Sequence, residues 1–196
     1  MKRTILIATL WLALAPAVNA ETATAMFAGG CFWCMESAYQ GQDGVSDVVS
    51  GFTGGSIANP TYKGDHTGHF EAVQVTYDPS IVSYQQLLDL YWVNVDPLDN
   101  AGQFCDKGPS YRSAIFPGTE QEQALAEQSL SSVVDRFAPD KVYTEIRPAS
   151  TFWPVEEYHQ DYYLKNPVRY KYYRWNCGRD QRLKQLWGDS AGAHPG

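Results

Sequence analysis

The order of the periodic segments constrains this chain more than any other feature. Thr22 to Ala28 alternates weakly and stops at Gly29-Gly30, which predicts a strand followed by a tight turn. Cys31 to Tyr39 lacks Gly and Pro and predicts a helix. Val45 to Phe52 and His69 to Tyr77 predict strands, separated by a long loop over Ser56 to Gly68. Ser83-Tyr84-Gln85-Gln86 is a capping box, so a helix is expected from there to about Val93. Pro97 to Pro109 reads as loop and Tyr111 to Phe116 as a short strand. Strand, helix, strand, strand, helix, strand is the split βαβ, or ferredoxin-like, order. Thr119 with Glu122 forms a second capping box, opening a helix with Leu130, Val133, Val134 and Phe137 on one face. A strand over Val142 to Ile146 follows. Val155, Tyr158, His159, Tyr162 and Tyr163 fall at helical spacing, and Gly178 to Trp187 predicts a last helix. The expectation is an α+β, two-layer sandwich. It has a βαββαβ core, a mixed, mostly antiparallel sheet and extra C-terminal helices.

Residues 1–20 read as a secretory signal peptide. Lys2 and Arg3 precede an apolar run from Ile5 to Val18, and Val18-Asn19-Ala20 offers small residues at the cleavage positions. The run is about 14 residues, short of the roughly 20 needed to span a bilayer. The expected organisation is a signal peptide at 1–20 and one domain at 21–196. The domain is expected to be exported, periplasmic or secreted, with no membrane span and acting as a monomer. The formal net charge of −7 argues against a broad phosphate-neutralising face, so no nucleic-acid partner is expected.

Export makes the four cysteines, Cys31, Cys34, Cys105 and Cys177, candidates for disulfides. Cys31 and Cys34 have the Cys-x-x-Cys spacing of redox chemistry. A strand feeding Gly29-Gly30 and then a helix places Cys31 at a helix N-terminus. There the dipole and free N–H groups favour a thiolate. Cys34 lies on the same face, within bonding range. In the predicted strand, His69, Glu71, Val73, Val75 and Tyr77 share one face. Glu71 is then either a solvated acid at a strand end or a buried one, held protonated and able to donate. Zinc is the metal alternative, with His66 and His69 three apart. However, structural zinc usually takes two closely spaced ligand pairs, and Cys105 and Cys177 are singletons, so no metal is expected.

Gly30-Cys31-Phe32-Trp33 opening a helix resembles the signature of the type A methionine sulfoxide reductases. So do Asn59-Pro60-Thr61-Tyr62, Thr67-Gly68-His69-Phe70-Glu71, Tyr111-Arg112-Ser113-Ala114-Ile115, Phe152-Trp153-Pro154 and Glu156-Glu157-Tyr158-His159-Gln160, in family order. The resemblance covers about Ala25 to Asn166. It implies that Cys31 attacks the sulfur of a methionine S-sulfoxide, protein-bound or free, releases methionine and becomes a sulfenic acid. Glu71 matches the general acid. Tyr62 and Tyr111 match the tyrosines that bond the sulfoxide oxygen, and Phe32 and Trp33 the wall that receives the S-methyl group. Asp106 matches an acid that organises the polar side of the site. A disulfide then forms and a thioredoxin-type reductant recycles it, without a prosthetic cofactor. Oxidised proteins would be repaired in this way.

The segment Phe104-Cys105-Asp106-Lys107-Gly108-Pro109-Ser110-Tyr111 departs from the common family pattern, with Cys105 in place of Asn and Pro-Ser in place of Thr-Gln. The resolving thiol stays open: Cys34 is the first choice and Cys177 the second. A Cys105–Cys177 disulfide, structural or relaying, is a third possibility. Two other readings remain. One is a thioredoxin-like disulfide oxidoreductase; the other is a disulfide-stapled binding domain with inert cysteines.

Overall fold

A six-stranded sheet carries the site on one edge of its helical face. The computed structural model describes residues 22–192, so the expected signal peptide at 1–20 lies outside the described residues. The strands are β1 (Ala23–Gly29), β2 (Val45–Thr53), β3 (Phe70–Tyr77), β4 (Gly102–Gln103), β5 (Asp106–Lys107), β6 (Ser113–Phe116), β7 (Glu145–Ile146) and β8 (Trp153–Pro154). The helices are α1 (Phe32–Tyr39), α2 (Tyr84–Trp92), α3 (Glu120–Phe137), α4 (Tyr162–Lys165), α5 (Pro167–Asn176) and α6 (Arg179–Trp187). The large sheet runs β7-β6-β1-β3-β2-β8, and β4 and β5 form a separate small hairpin. β1 pairs antiparallel with β3 and β6, β2 with β3 and β8; only β7 lies parallel to its neighbour β6. The central order β6-β1-β3-β2 is the ferredoxin-like arrangement expected from the βαββαβ pattern.

Alternation along the strands divides the core. Ala25, Phe27, Val73, Val75 and Tyr77 face α1 and α2, where Phe27 stacks on Tyr39 and Tyr91 with ring centroids 5.2 and 5.5 Å apart. Ala28, Phe70, Ala72, Ala114 and Phe116 form a smaller cluster on the other face. There Arg112 and Arg147 lie 5.1 and 5.2 Å from the Phe70 ring. Ser83 makes the expected reciprocal cap, accepting from Gln86 N at 3.3 Å while its own N–H donates to Gln86 Oε1 at 2.9 Å. Thr119 accepts from Glu122 N, but the Glu122 carboxylate turns to Gly118 N at 2.7 Å, so the second box is offset by one residue. No helix among the described residues is long and apolar enough to cross a membrane.

Three expected elements differ. Tyr111 is not in a strand but ends a 3₁₀ turn, Pro109–Tyr111, with Pro109 at its first position and Tyr111 N bonded to Gly108 O. Only Glu145–Ile146 of the expected Val142–Ile146 strand pairs; Tyr143 N is drawn instead to Pro97 O at 2.7 Å. The helical spacing over Val155 to Tyr163 is not one helix. The Gln160 side chain accepts from Ser50 N at 2.8 Å and donates to Ser50 O at 2.9 Å, completing the β2 edge as a strand would. Asp161 then turns left-handed (φ 53°) before α4 begins. Helix α5, opened by Pro167, was not expected at all.

Candidate active site

Gly30 has φ +82°, and a Cβ there would meet Gln103 Cβ at 2.5 Å, so the turn from β1 into α1 requires glycine. The turn places Cys31 at the N-cap of α1, with Cys34 N and Met35 N bonded to its carbonyl. Cys31 is 6% exposed and Cys34 1%. Glu71, next to last in the pairing of β3 with the end of β2, is 2% exposed on the helical face. Its Oε2 accepts from Phe32 N at 3.1 Å, tying the carboxyl to the first turn of α1 beside Cys31. Tyr62 comes from the 56–68 loop, where its backbone N–H donates to Glu156 Oε2 at 3.3 Å. Tyr111 comes from the 3₁₀ turn and Asp106 from the small hairpin.

Cys31, Phe32, Trp33, Tyr62, Glu71, Asp106, Tyr111 and Tyr173 line one pocket of about 50 Å³. A pocket this small admits the end of a side chain, not a whole residue. Of these eight, only Tyr173 was missed by the sequence reading. His159 is buried behind the wall. Its Nδ1 accepts from Trp33 Nε1 at 3.1 Å, and its ring lies 5.3 Å from Phe32 and 4.2 Å from Tyr62. Tyr162 stacks on Trp33 at 3.8 Å, nearly parallel. Glu36 of α1, wholly buried, accepts from Asp161 N at 2.8 Å and holds the turn that delivers Tyr162.

Burial pushes the Glu71 carboxyl up to about 8, against the lowering bond from Phe32 N. It is therefore protonated at neutral pH and can donate. Burial likewise raises Tyr62, Tyr111 and Asp106, so both phenols keep their protons. The cysteine pair corrects the expectation of a lowered Cys31. Burial pushes the Cys31 thiol up, and the nearest helix N–H, that of Phe32, is already committed to Glu71. The hydrogen bond from Cys31 and the Arg179 and Arg174 guanidinium groups instead draw Cys34 down to about 6. The two buried sulfurs titrate as a pair, with Cys34 the one drawn toward the thiolate.

Cys105 and Cys177 form a disulfide, Cα to Cα 4.9 Å, so Cys177 is engaged away from Cys31 in this structure. With Asp106 they form the one His/Cys/Asp/Glu group, among the described residues, close enough to share an ion, but both sulfurs are in the bridge. His66 and His69 serve their own loops: His69 Nδ1 accepts from Gly55 N, and His69 Nε2 lies 2.9 Å from Ile57 O.

Sequence reasoning also missed Arg179, which is 2% exposed. Its NH2 donates to Asn94 O at 2.7 Å and Gly29 O at 3.1 Å, and its guanidinium lies 4.4 Å from the Phe104 ring. It joins the glycine turn to the end of α2 and charges the space beneath Cys34. Arg179→Ala would orphan those carbonyls and leave a cavity. The expected loss is about 3 kcal/mol or more, a drop in Tm of roughly 6–12 °C, read by thermal unfolding.

A sequence model described as peptide methionine sulfoxide reductase matches residues 23–191. The chain is 52% identical over 180 residues to peptide methionine sulfoxide reductase MsrA 2 of Caulobacter vibrioides, covering 90% of this chain and 91% of that one. Among solved structures it is similar to methionine sulfoxide reductase A of Corynebacterium diphtheriae. That match has 31% identity and a TM-score of 0.71, over 77% of this chain and 78% of that one. It is also similar to reduced Mxr1 of Saccharomyces cerevisiae, at 28% identity and a TM-score of 0.70, over 79% and 90% of the two chains.

Proposed function

The chain belongs to the peptide methionine sulfoxide reductase family, and on that premise we propose that Cys31 attacks the sulfoxide sulfur while Glu71 protonates the oxygen that departs from it. The enzyme reduces methionine sulfoxide to methionine with electrons from thiols. The observation that carries the residue assignment is the Phe32 N to Glu71 Oε2 bond at 3.1 Å. It sets a protonated carboxyl one residue from a buried cysteine, in a pocket walled by aromatic rings that suit a methyl group.

Cys34 takes the Cys31 proton across their hydrogen bond as the Cys31 sulfur attacks. Glu71 gives its proton to the sulfoxide oxygen, and Tyr62 and Tyr111 hydrogen-bond to that oxygen as charge builds on it. The attack bonds Cys31 Sγ to the substrate sulfur; the protonated oxygen leaves that sulfur as hydroxide, and hydroxide adds to Cys31 Sγ as the bond between the two sulfurs breaks, releasing methionine and leaving a sulfenic acid on Cys31. Cys34 then attacks that sulfur, releasing water and forming the Cys31–Cys34 disulfide. A thioredoxin-type dithiol reduces this disulfide by exchange and leaves with its own sulfurs oxidised. The substrate is the S epimer, on oxidised proteins or free methionine. The segment at 1–20 and the Cys105–Cys177 bridge both support action in an exported, oxidising compartment.

Cys34→Ser tests the resolving step. One methionine per enzyme should form, more slowly than in the wild type because Cys34 no longer takes the Cys31 proton, and Cys31 should be captured by dimedone as the sulfenic acid. The wild type, treated alike, should yield a Cys31–Cys34 disulfide by peptide mapping. A Cys31–Cys177 disulfide in the wild type would assign resolution to Cys177.

A further inference from the structure

We propose that Tyr173 is a further catalytic residue, its hydroxyl held against the Cys31 sulfur by Asp106, and that the Cys105–Cys177 disulfide braces this pair. The proposal rests on Cys31 being the nucleophile. The Tyr173 hydroxyl donates to Asp106 Oδ2, and its ring stands edge-on to Trp33 at 5.9 Å. Tyr173 lines the pocket and packs against the cluster formed by Cys31, Cys34 and Tyr170, with its hydroxyl able to donate to Cys31. One O–H therefore serves two acceptors. At rest it satisfies Asp106; when Cys31 gains negative charge on losing its proton, it turns to the sulfur. Burial raises the phenol, so the proton is available throughout.

The brace follows from where the bridge attaches. Cys105 directly precedes Asp106 on the small hairpin, and Cys177 lies one helical turn beyond Tyr173, its N–H bonded to Tyr173 O at 2.9 Å. The covalent link therefore joins the two segments immediately beside the two residues that share the hydrogen bond. The outer face of α5 makes no such tie: Val168, Tyr172 and Trp175 are 81, 66 and 73% exposed. Helix α5 is thus placed by its inner face and by this bridge.

The test uses the full chain with Tyr173→Phe, with Cys105→Ser/Cys177→Ser, and with all three changes together. Cys31 alkylation by iodoacetamide is followed by peptide mapping as a function of pH, beside steady-state turnover. Tyr173→Phe should lower kcat by about 10- to 100-fold, the worth of one hydrogen bond to a charged atom, with KM nearly unchanged. It should also move the Cys31 alkylation midpoint upward by about one unit. The bridge-less variant should shift the midpoint in the same direction by less, and adding Tyr173→Phe to it should cost less than in the wild type. An unchanged alkylation profile in Tyr173→Phe would overturn the role of the hydroxyl. Fully additive losses would overturn the brace. Cys31→Ser, run alongside, tests the underlying nucleophile separately: full activity there would remove the premise and not merely the role of Tyr173.

Discussion

Cys31→Ser is expected to abolish turnover and to leave the fold intact. Serine is close to the volume of cysteine, and the N-cap role of residue 31 uses its backbone carbonyl, which accepts from Cys34 N and Met35 N. Thermal unfolding should therefore change by only a few degrees. The chemistry cannot survive, because the alcohol is a far poorer nucleophile toward sulfur and forms no sulfenic acid. No methionine should be detected under conditions where the wild type completes many turnovers. Turnover that persisted in this variant would remove Cys31 from the reaction.

Glu71→Gln has the second-largest effect, and pH separates its catalytic from its structural consequences. The amide oxygen can still accept from Phe32 N, so the tie to α1 survives. Loss of the acid should reduce kcat by about 100- to 10,000-fold. Because the active form is protonated, wild-type activity should fall as pH rises through about 8; the residual activity of the variant should lack that limb. Stability carries the same sign. A carboxyl raised from its ordinary 4.5 to about 8 binds more protons folded than unfolded. Its contribution is complete below about pH 4.5 and is lost as pH rises through 8. Glu36, raised to about 7 by burial, adds to this loss. The Gln variant should therefore be relatively more stable than the wild type at pH 9. An unchanged alkaline limb would assign the ionisation elsewhere.

The parts of the site that the sequence made legible are those dictated by local geometry. Gly29-Gly30 between a strand and a helix can only present the next residue at a helix start, and there Cys31 lies. Period-2 alternation in β3 places Glu71 on the same face as Val73 and Val75, and it is buried with them. What sequence could not show depends on distant partners. Arg179 reads as one more charge on a charged helix, yet it is buried because the carbonyls of Gly29 and Asn94 converge on it. Tyr173 was hidden because the exposed Val168, Tyr172 and Trp175 leave α5 without a single apolar face. The helix expected at Val155 to Tyr163 lost to a side chain, since Gln160 satisfies the β2 edge better than a helical backbone could. The Cys31 thiol was misjudged for a related reason: the helix N–H counted on to lower it is spent on Glu71.

The central claim is that one pocket, built from Cys31, Glu71 and an aromatic wall, reduces methionine sulfoxide of a single handedness. The most direct test is turnover of residues 21–196 on the purified S and R epimers of methionine sulfoxide, with dithiothreitol as reductant. Family membership predicts conversion of the S epimer and none of the R epimer, and the pocket predicts loss of the S activity in Cys31→Ser. Equal conversion of both epimers, or of neither, would contradict it.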